Sequence, residues 1–166
     1  MPDRYLSIYL NDHLAVIVGI RELLERTLEN NTDSPFGELL TRLLEDSQQE
    51  RRALAALMRD HGIPENHLKT SGAWLAERIG RLKMNGQLTG YSPLSRLVEI
   101  EGIALGLDAK RIFWDNLSHI GVVQAGGFVT KSLARRAEQR LEELDEHRRD
   151  AAKEALGFRA PSLTEL

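Results

Sequence analysis

The stretch LSIYLNDHLAVIVGIRELLERTL, residues 6–28, decides the fold class. Leu6, Leu10, His13, Ile17, Ile20, Leu24 and Thr27 recur at steps of three and four residues, and Leu14, Leu23 and Leu28 widen the stripe. That spacing marks one buried face of a helix, because an α-helix turns once in about 3.6 residues. The helix runs from Asp3, which is suited to cap it, to Glu29. Asn30-Asn31-Thr32-Asp33 then supplies a stop and a turn. No segment of the chain sustains the period of two that a half-buried strand needs.

Three further long helices follow. Ser34-Pro35 opens the second, a Ser cap with Pro in the first helical position, where its missing N–H costs nothing. Phe36, Leu40, Leu43, Leu44, Leu54, Leu57 and Met58 form its apolar face, interrupted mid-way by Ser47, Glu50 and Arg51. His61-Gly62 and Pro64 end it. A second Ser-Pro pair, Ser92-Pro93, opens the third helix, with Leu94, Leu97, Val98, Glu101, Leu105, Asp108 and Ile112 on one side. Gly102 and Gly106 either admit a close neighbour or break this helix at Gly106, leaving Asp108 to cap a shorter one. Residues 119–128 carry three glycines and read as a loop. The fourth helix spans Thr130 to Leu156, with Leu133, Ala137, Leu141, Leu144, Arg148, Ala151 and Ala155 on one face, and stops at Gly157.

Short turns make the first and second helices antiparallel, and likewise the third and fourth. The long connection between the second and third carries a shorter helix, Ser71 to Lys83, with Trp74, Leu75, Ile79 and Leu82. The expectation is an all-α, ferritin-like four-helix bundle with a long helical crossover between its second and third helices. Residues 1–158 form its single domain and 159–166 a weakly ordered tail.

Composition narrows the function classes. Hydrophobic residues make up 42% of the 166 and charged residues 28%, which suits a folded domain rather than a disordered one. A formal net charge of −3 gives no reason to expect nucleic acid as a partner. With no cysteine, disulfides and thiolate metal sites are excluded. The apolar run from Leu14 to Ile20 falls far short of the roughly 20 residues that span a bilayer, and Met1-Pro2-Asp3-Arg4 begins no signal peptide. A cytoplasmic protein with no membrane partner is expected.

The chain resembles the uncharacterised bacterial ferritin-like proteins. The likeness is carried by Tyr9-Leu10-Asn11-Asp12-His13-Leu14-Ala15, by Trp74-Leu75-Ala76-Glu77 with Arg81-Leu82-Lys83, and by Ser92-Pro93-Leu94-Ser95-Arg96. Leu105-Gly106-Leu107-Asp108-Ala109-Lys110 with Trp114, and Glu143-Leu144-Asp145-Glu146-His147-Arg148, complete it over nearly the whole chain. The resemblance implies the bundle and brings no activity with it. Ferritins and rubrerythrins, the broader relatives, hold two irons with an inward Glu on two helices and Glu-x-x-His on two others. Glu-x-x-His precedes none of the five histidines here.

Four ionisable residues fall on or beside the inward faces, one per long helix: His13, Glu50, Glu101 and His147. Two carboxylates and two imidazoles could ligate iron, manganese or zinc in a redox or storage role. A closed polar network, with His13 donating to Glu101 and Glu50 pairing with Arg51 or Arg140, satisfies the same burial without a cofactor. A third reading places a small ligand around Ser47, Glu50 and Glu101. Lys69, Arg78, Arg81 and Lys83 solvate the crossover, and the acidic run Glu142, Glu143, Asp145 and Glu146 solvates the fourth helix. Trp74 and Trp114 anchor the crossover or face a homodimer or protein partner. The functional expectation is a non-enzymatic protein acting through self- or partner association, with metal binding as the alternative.

Overall fold

In the computed structural model, residues 4–66 and 91–157 are described. They form four long helices: α1 (Arg4–Glu29), α2 (Pro35–Asp60), α3 (Pro93–His119) and α4 (Thr130–Leu156). The crossover helix, its Trp74, the Asp3 cap and the tail lie outside the described residues. The two Ser-Pro starts are built as the sequence suggests. Ser34 Oγ accepts from the Gly37 N–H and Ser92 Oγ from the Ser95 N–H, each at 3.1 Å. α2 stops where Gly62 takes a left-handed φ of 64°.

Contacts fix the direction of each helix. Near the start of α1, His13 stacks on Phe113 late in α3 and Tyr9 packs at a tilt against the same ring, while Arg26 near the end of α1 pairs with Glu99 early in α3. These helices are therefore antiparallel. Arg96 meets Glu154, so α3 and α4 are antiparallel, and Arg42 meets Glu143, so α2 and α4 are too. It follows that α2 and α3 run the same way. α2 ends at the Tyr9 end of the bundle and α3 begins at the Asn31 end, so the connection joins opposite ends. Two asparagines on and just beyond α1 hold its flanks. Asn11 Nδ2 donates to the Pro64 carbonyl at 3.2 Å and Asn11 Oδ1 accepts from the Asn66 N–H at 2.7 Å. Asn31 Nδ2 donates to the Tyr91 hydroxyl at 3.0 Å.

α3 is one continuous helix through Gly106, which resolves the alternative in favour of close approach. A Cβ on Gly106 would fall on the Ile20 side chain of α1. The loop after α3 holds an antiparallel hairpin, β1 (Gln124–Ala125) with β2 (Phe128–Val129), too short to print a period of two on the sequence. Gly126 and Gly127 close it at φ 54° and 84°, values that L side chains resist.

The apolar core falls into two clusters. One holds Leu10, Leu14, Ile17, Leu54, Leu57, Phe113, Trp114 and Leu133; the other holds Ile20, Leu24, Phe36, Leu40, Leu43, Ile103, Leu107 and Leu144. Along α2 and α3, the residues between the clusters include Ser47, Glu50 and Lys110, all fully buried. The break in the α2 stripe thus becomes a polar layer across the middle of the bundle. One expectation on α3 is reversed. The side carrying Leu94, Leu105 and Ile112 faces outward, with those side chains 42%, 46% and 43% exposed. Leu97 of that side is buried as expected, but the rest of the core on α3 is built by Ile100, Ile103, Leu107, Phe113 and Leu117. α3 is apolar on both sides, so periodicity alone could not choose between them. Among the described residues no helix is long and apolar enough to cross a membrane.

Candidate functional site

The polar layer is centred on an ion pair that crosses the bundle. Lys110, at 0% exposure, projects inward from α3 between Leu107 and Trp114. Its Nζ lies 2.8 Å from Oε2 of Glu50, itself 1% exposed, on α2. α1 packs against α2 and α3, and α4 against α3 and α2, so the pair reaches between helices that do not adjoin along their length. Stripping either charge of water costs several kcal/mol, and opposite charge at contact distance is what makes that burial tolerable. At 2.8 Å the ammonium and the carboxylate are in direct contact, and the attraction of opposite charges in a dry layer holds the pair. The Ser47 hydroxyl one turn from Glu50 and the Trp114 indole N–H one turn from Lys110 have no hydrogen-bond partner among the described residues.

A second set of charges closes the seam between α2 and α4, where long arginines bridge the gap. Arg140 Nε donates to Asp46 Oδ2 at 2.8 Å and Arg140 Nη1 to Glu143 Oε1 at 2.8 Å. Arg136 Nη1 donates to Gln49 at 2.7 Å and lies 3.4 Å from Asp46 Oδ1. Arg42 reaches Glu143 at 2.9 Å. Burial alone would lower the Arg140 pKa, but hydrogen bonds to Asp46 and Glu143 outweigh it and hold it above its ordinary value. Burial would likewise raise Glu143, but the guanidiniums of Arg42 and Arg140 pull its carboxyl below the usual range. On the other side of the bundle Arg26 Nη2 lies 3.0 Å from Glu99 Oε1. Each buried carboxylate among the described residues, Asp46, Glu50 and Glu99, therefore faces a lysine or an arginine.

The four ionisable residues singled out from sequence are placed apart. His13 lies in the first apolar cluster, stacked on Phe113 at a centroid distance of 4.3 Å and edge-on to Tyr9 at 4.6 Å. Burial pulls its pKa down to about 4, opposed in part by Asp12, and Nδ1 has no hydrogen-bond partner among the described residues. The ring is therefore neutral at pH 7, and it packs against Tyr9 and Phe113 rather than meeting Glu101. His147 packs against Phe36 of the second cluster at 5.1 Å. Burial, with the nearby Arg96 charge, lowers its pKa. Glu50 is taken by Lys110 rather than by Arg51 or Arg140; Arg51 binds Glu65 at 2.7 Å. Glu101 stands on the same side of α3 as Leu105 and Ile112, partly buried, and not on the inward face expected for it. Among the described residues, no group of three or more His, Cys, Asp or Glu side chains is close enough to hold a metal ion. The donor set that iron, manganese or zinc would need does not fit here, because its two histidines belong to different clusters and Glu50 already carries a cation.

Lys110 was the residue missed. Its signal was present: it lies three residues after Leu107 and four before Trp114, a lysine on an apolar stripe. Trp114 is 0% exposed, packed on Phe113 at 4.7 Å, so it is a core residue and its ring is closed to a dimer or protein partner. No family model, curated protein or solved structure matches the chain.

Proposed function

We propose that the chain is a ferritin-like four-helix bundle that works without catalysis, by association with a copy of itself or with another protein. The observation that carries the reading is the Glu50–Lys110 pair. Among the described residues the most buried carboxylate is neutralised by the chain's own ammonium, and the other two buried carboxylates, Asp46 and Glu99, are paired with arginines. An interior whose charges are already matched has no use for a metal to stabilise it. The shared direction of α2 and α3, with a connection joining opposite ends, supports the ferritin-like arrangement over a simple up-down-up-down one. Outward apolar side chains on α3 support contact with a macromolecule rather than a small substrate. The test is thermal melting of the full chain with EDTA and with added iron, manganese or zinc. Melting temperatures unchanged within error are expected. Stabilisation by one of the metals at micromolar concentration would overturn the reading in favour of a metal-binding protein, since a ligand that binds only the native state must raise its stability.

A further inference from the structure

We propose that the outward face of α3 is a docking seam for an amphipathic helix of another protein, one whose apolar stripe is flanked by lysine or arginine. The proposal rests on the association reading above and names its surface and partner chemistry. Val98, Leu105 and Ile112 repeat every seven residues along this face, with Leu94 one turn before them. Glu101, Asp108 and Asp115 repeat every seven residues beside them, three positions after each apolar residue. A seven-residue repeat is the spacing by which one helix follows another around a shared axis. In a single folded chain such a row would normally be turned to the core. Here the core is supplied by the opposite side of α3, and Leu94, Leu105 and Ile112 are each more than 40% exposed.

The acidic row selects the occupant. Asp108 is held by Arg111 at 2.8 Å and Asp115 lies 3.5 Å from His119, so both bonds stay within α3. Glu101 has no ion-pair partner among the described residues. A second copy is disfavoured by charge. Antiparallel pairing about Leu105 sets Glu101 of one copy near Asp108 of the other, and parallel pairing sets each acid against itself. Like charges so placed oppose association, whereas a helix with basic flanks converts the same row into attraction and register.

The probe is a synthetic helical peptide of about four heptads, with leucine and isoleucine in its seam and lysine at the flanking positions. A control peptide carries glutamate at those positions. Binding to the full chain is read by fluorescence anisotropy, and helicity of each variant by circular dichroism. The lysine peptide is expected to bind at least about tenfold more tightly than the glutamate peptide. Leu105→Ser with Ile112→Ser should weaken it by about tenfold or more. Glu101→Lys, Asp108→Lys and Asp115→Lys combined should reverse the preference between the peptides. Leu105 and Ile112 are exposed and none of the three acids is buried, so the fold should survive each change. Equal binding of the two peptides, or binding indifferent to Leu105 and Ile112, overturns the proposal. So does sedimentation showing a dimer of the wild-type chain that Leu105→Ser dissociates, because the occupant is then a second copy. A chain that binds neither peptide and retains no metal sinks the seam alone; retained metal sinks the association reading.

Discussion

Replacing Lys110 with methionine keeps the length of the side chain and removes its charge. Glu50 is then left 1% exposed with no cation beside it. Breaking one half of a buried pair costs about 3–5 kcal/mol, because the surviving charge keeps its desolvation penalty and loses its compensation. A domain of this kind is stable by about 5–15 kcal/mol in total, so the loss is a large share of it. With a urea m-value of about 2 kcal/mol per molar, the unfolding midpoint should fall by about 2 M. Glu50→Met should behave similarly, stranding the ammonium. The double variant, Glu50→Met with Lys110→Met, removes both penalties and fills the layer with apolar volume. It should come within about 1 kcal/mol of wild type, giving a coupling energy of at least about 3 kcal/mol. Urea titrations followed by far-UV circular dichroism, with Trp114 one turn from Lys110 as a fluorescent reporter, complete the cycle. Single variants within about 1 kcal/mol of wild type would refute the reasoning. So would a double variant whose loss equals the sum of the two singles.

Three other outcomes follow from the same packing. Between about pH 6.5 and 4 the unfolded chain binds a proton at His13 that the folded chain refuses, so stability should fall as pH drops through that window, and the arginine-held Glu143 carboxyl extends the fall at lower pH. The shift is worth about 3 kcal/mol at most, and less for a ring partly open to solvent; His13→Phe should flatten the pH dependence of the melting temperature, leaving a smaller slope from His147. Gly106→Val should destabilise by about 2 kcal/mol or more, since the new side chain meets buried Ile20, and Ile20→Ala in the same chain should recover part of the loss in urea titration. Two serines of the second helix region should diverge: Ser34→Ala removes the cap on Gly37 and costs about 1 kcal/mol, whereas Ser47→Ala removes a buried hydroxyl without a partner and is neutral or stabilising by thermal melt.

The helices were legible because their ends and faces rest on local rules. Ser34-Pro35 and Ser92-Pro93 each supply a side-chain cap and a first-turn proline, and the α1 stripe of Leu10, Leu14, Ile17, Leu24 and Thr27 is the face that is buried. The α2 stripe even showed the polar layer as a gap at Ser47 and Glu50. α3 defeated the same method because it is apolar on two sides, and the seven-residue row Val98, Leu105, Ile112 satisfies a core pattern as well as the true one does. Choosing between them requires knowing that Gly106 receives Ile20 and that Lys110 is wanted inside, both facts of packing between helices. Pairing of charges was illegible for the same reason. Glu50 and Lys110 are sixty residues apart, and nothing in either local sequence names the other. His13 packs on Phe113 and His147 on Phe36, residues of two different apolar clusters, and such packing is not the same as converging on one point.

The central claim is that the chain itself supplies the cation that Glu50 needs. Elemental analysis of tag-free protein, before and after loading with iron, manganese and zinc and then desalting, addresses it most directly. The account expects far less than one metal per chain in every sample, with no difference between wild type and His13→Ala. One or two metals per chain, lost on His13→Ala or Glu50→Gln, would contradict it.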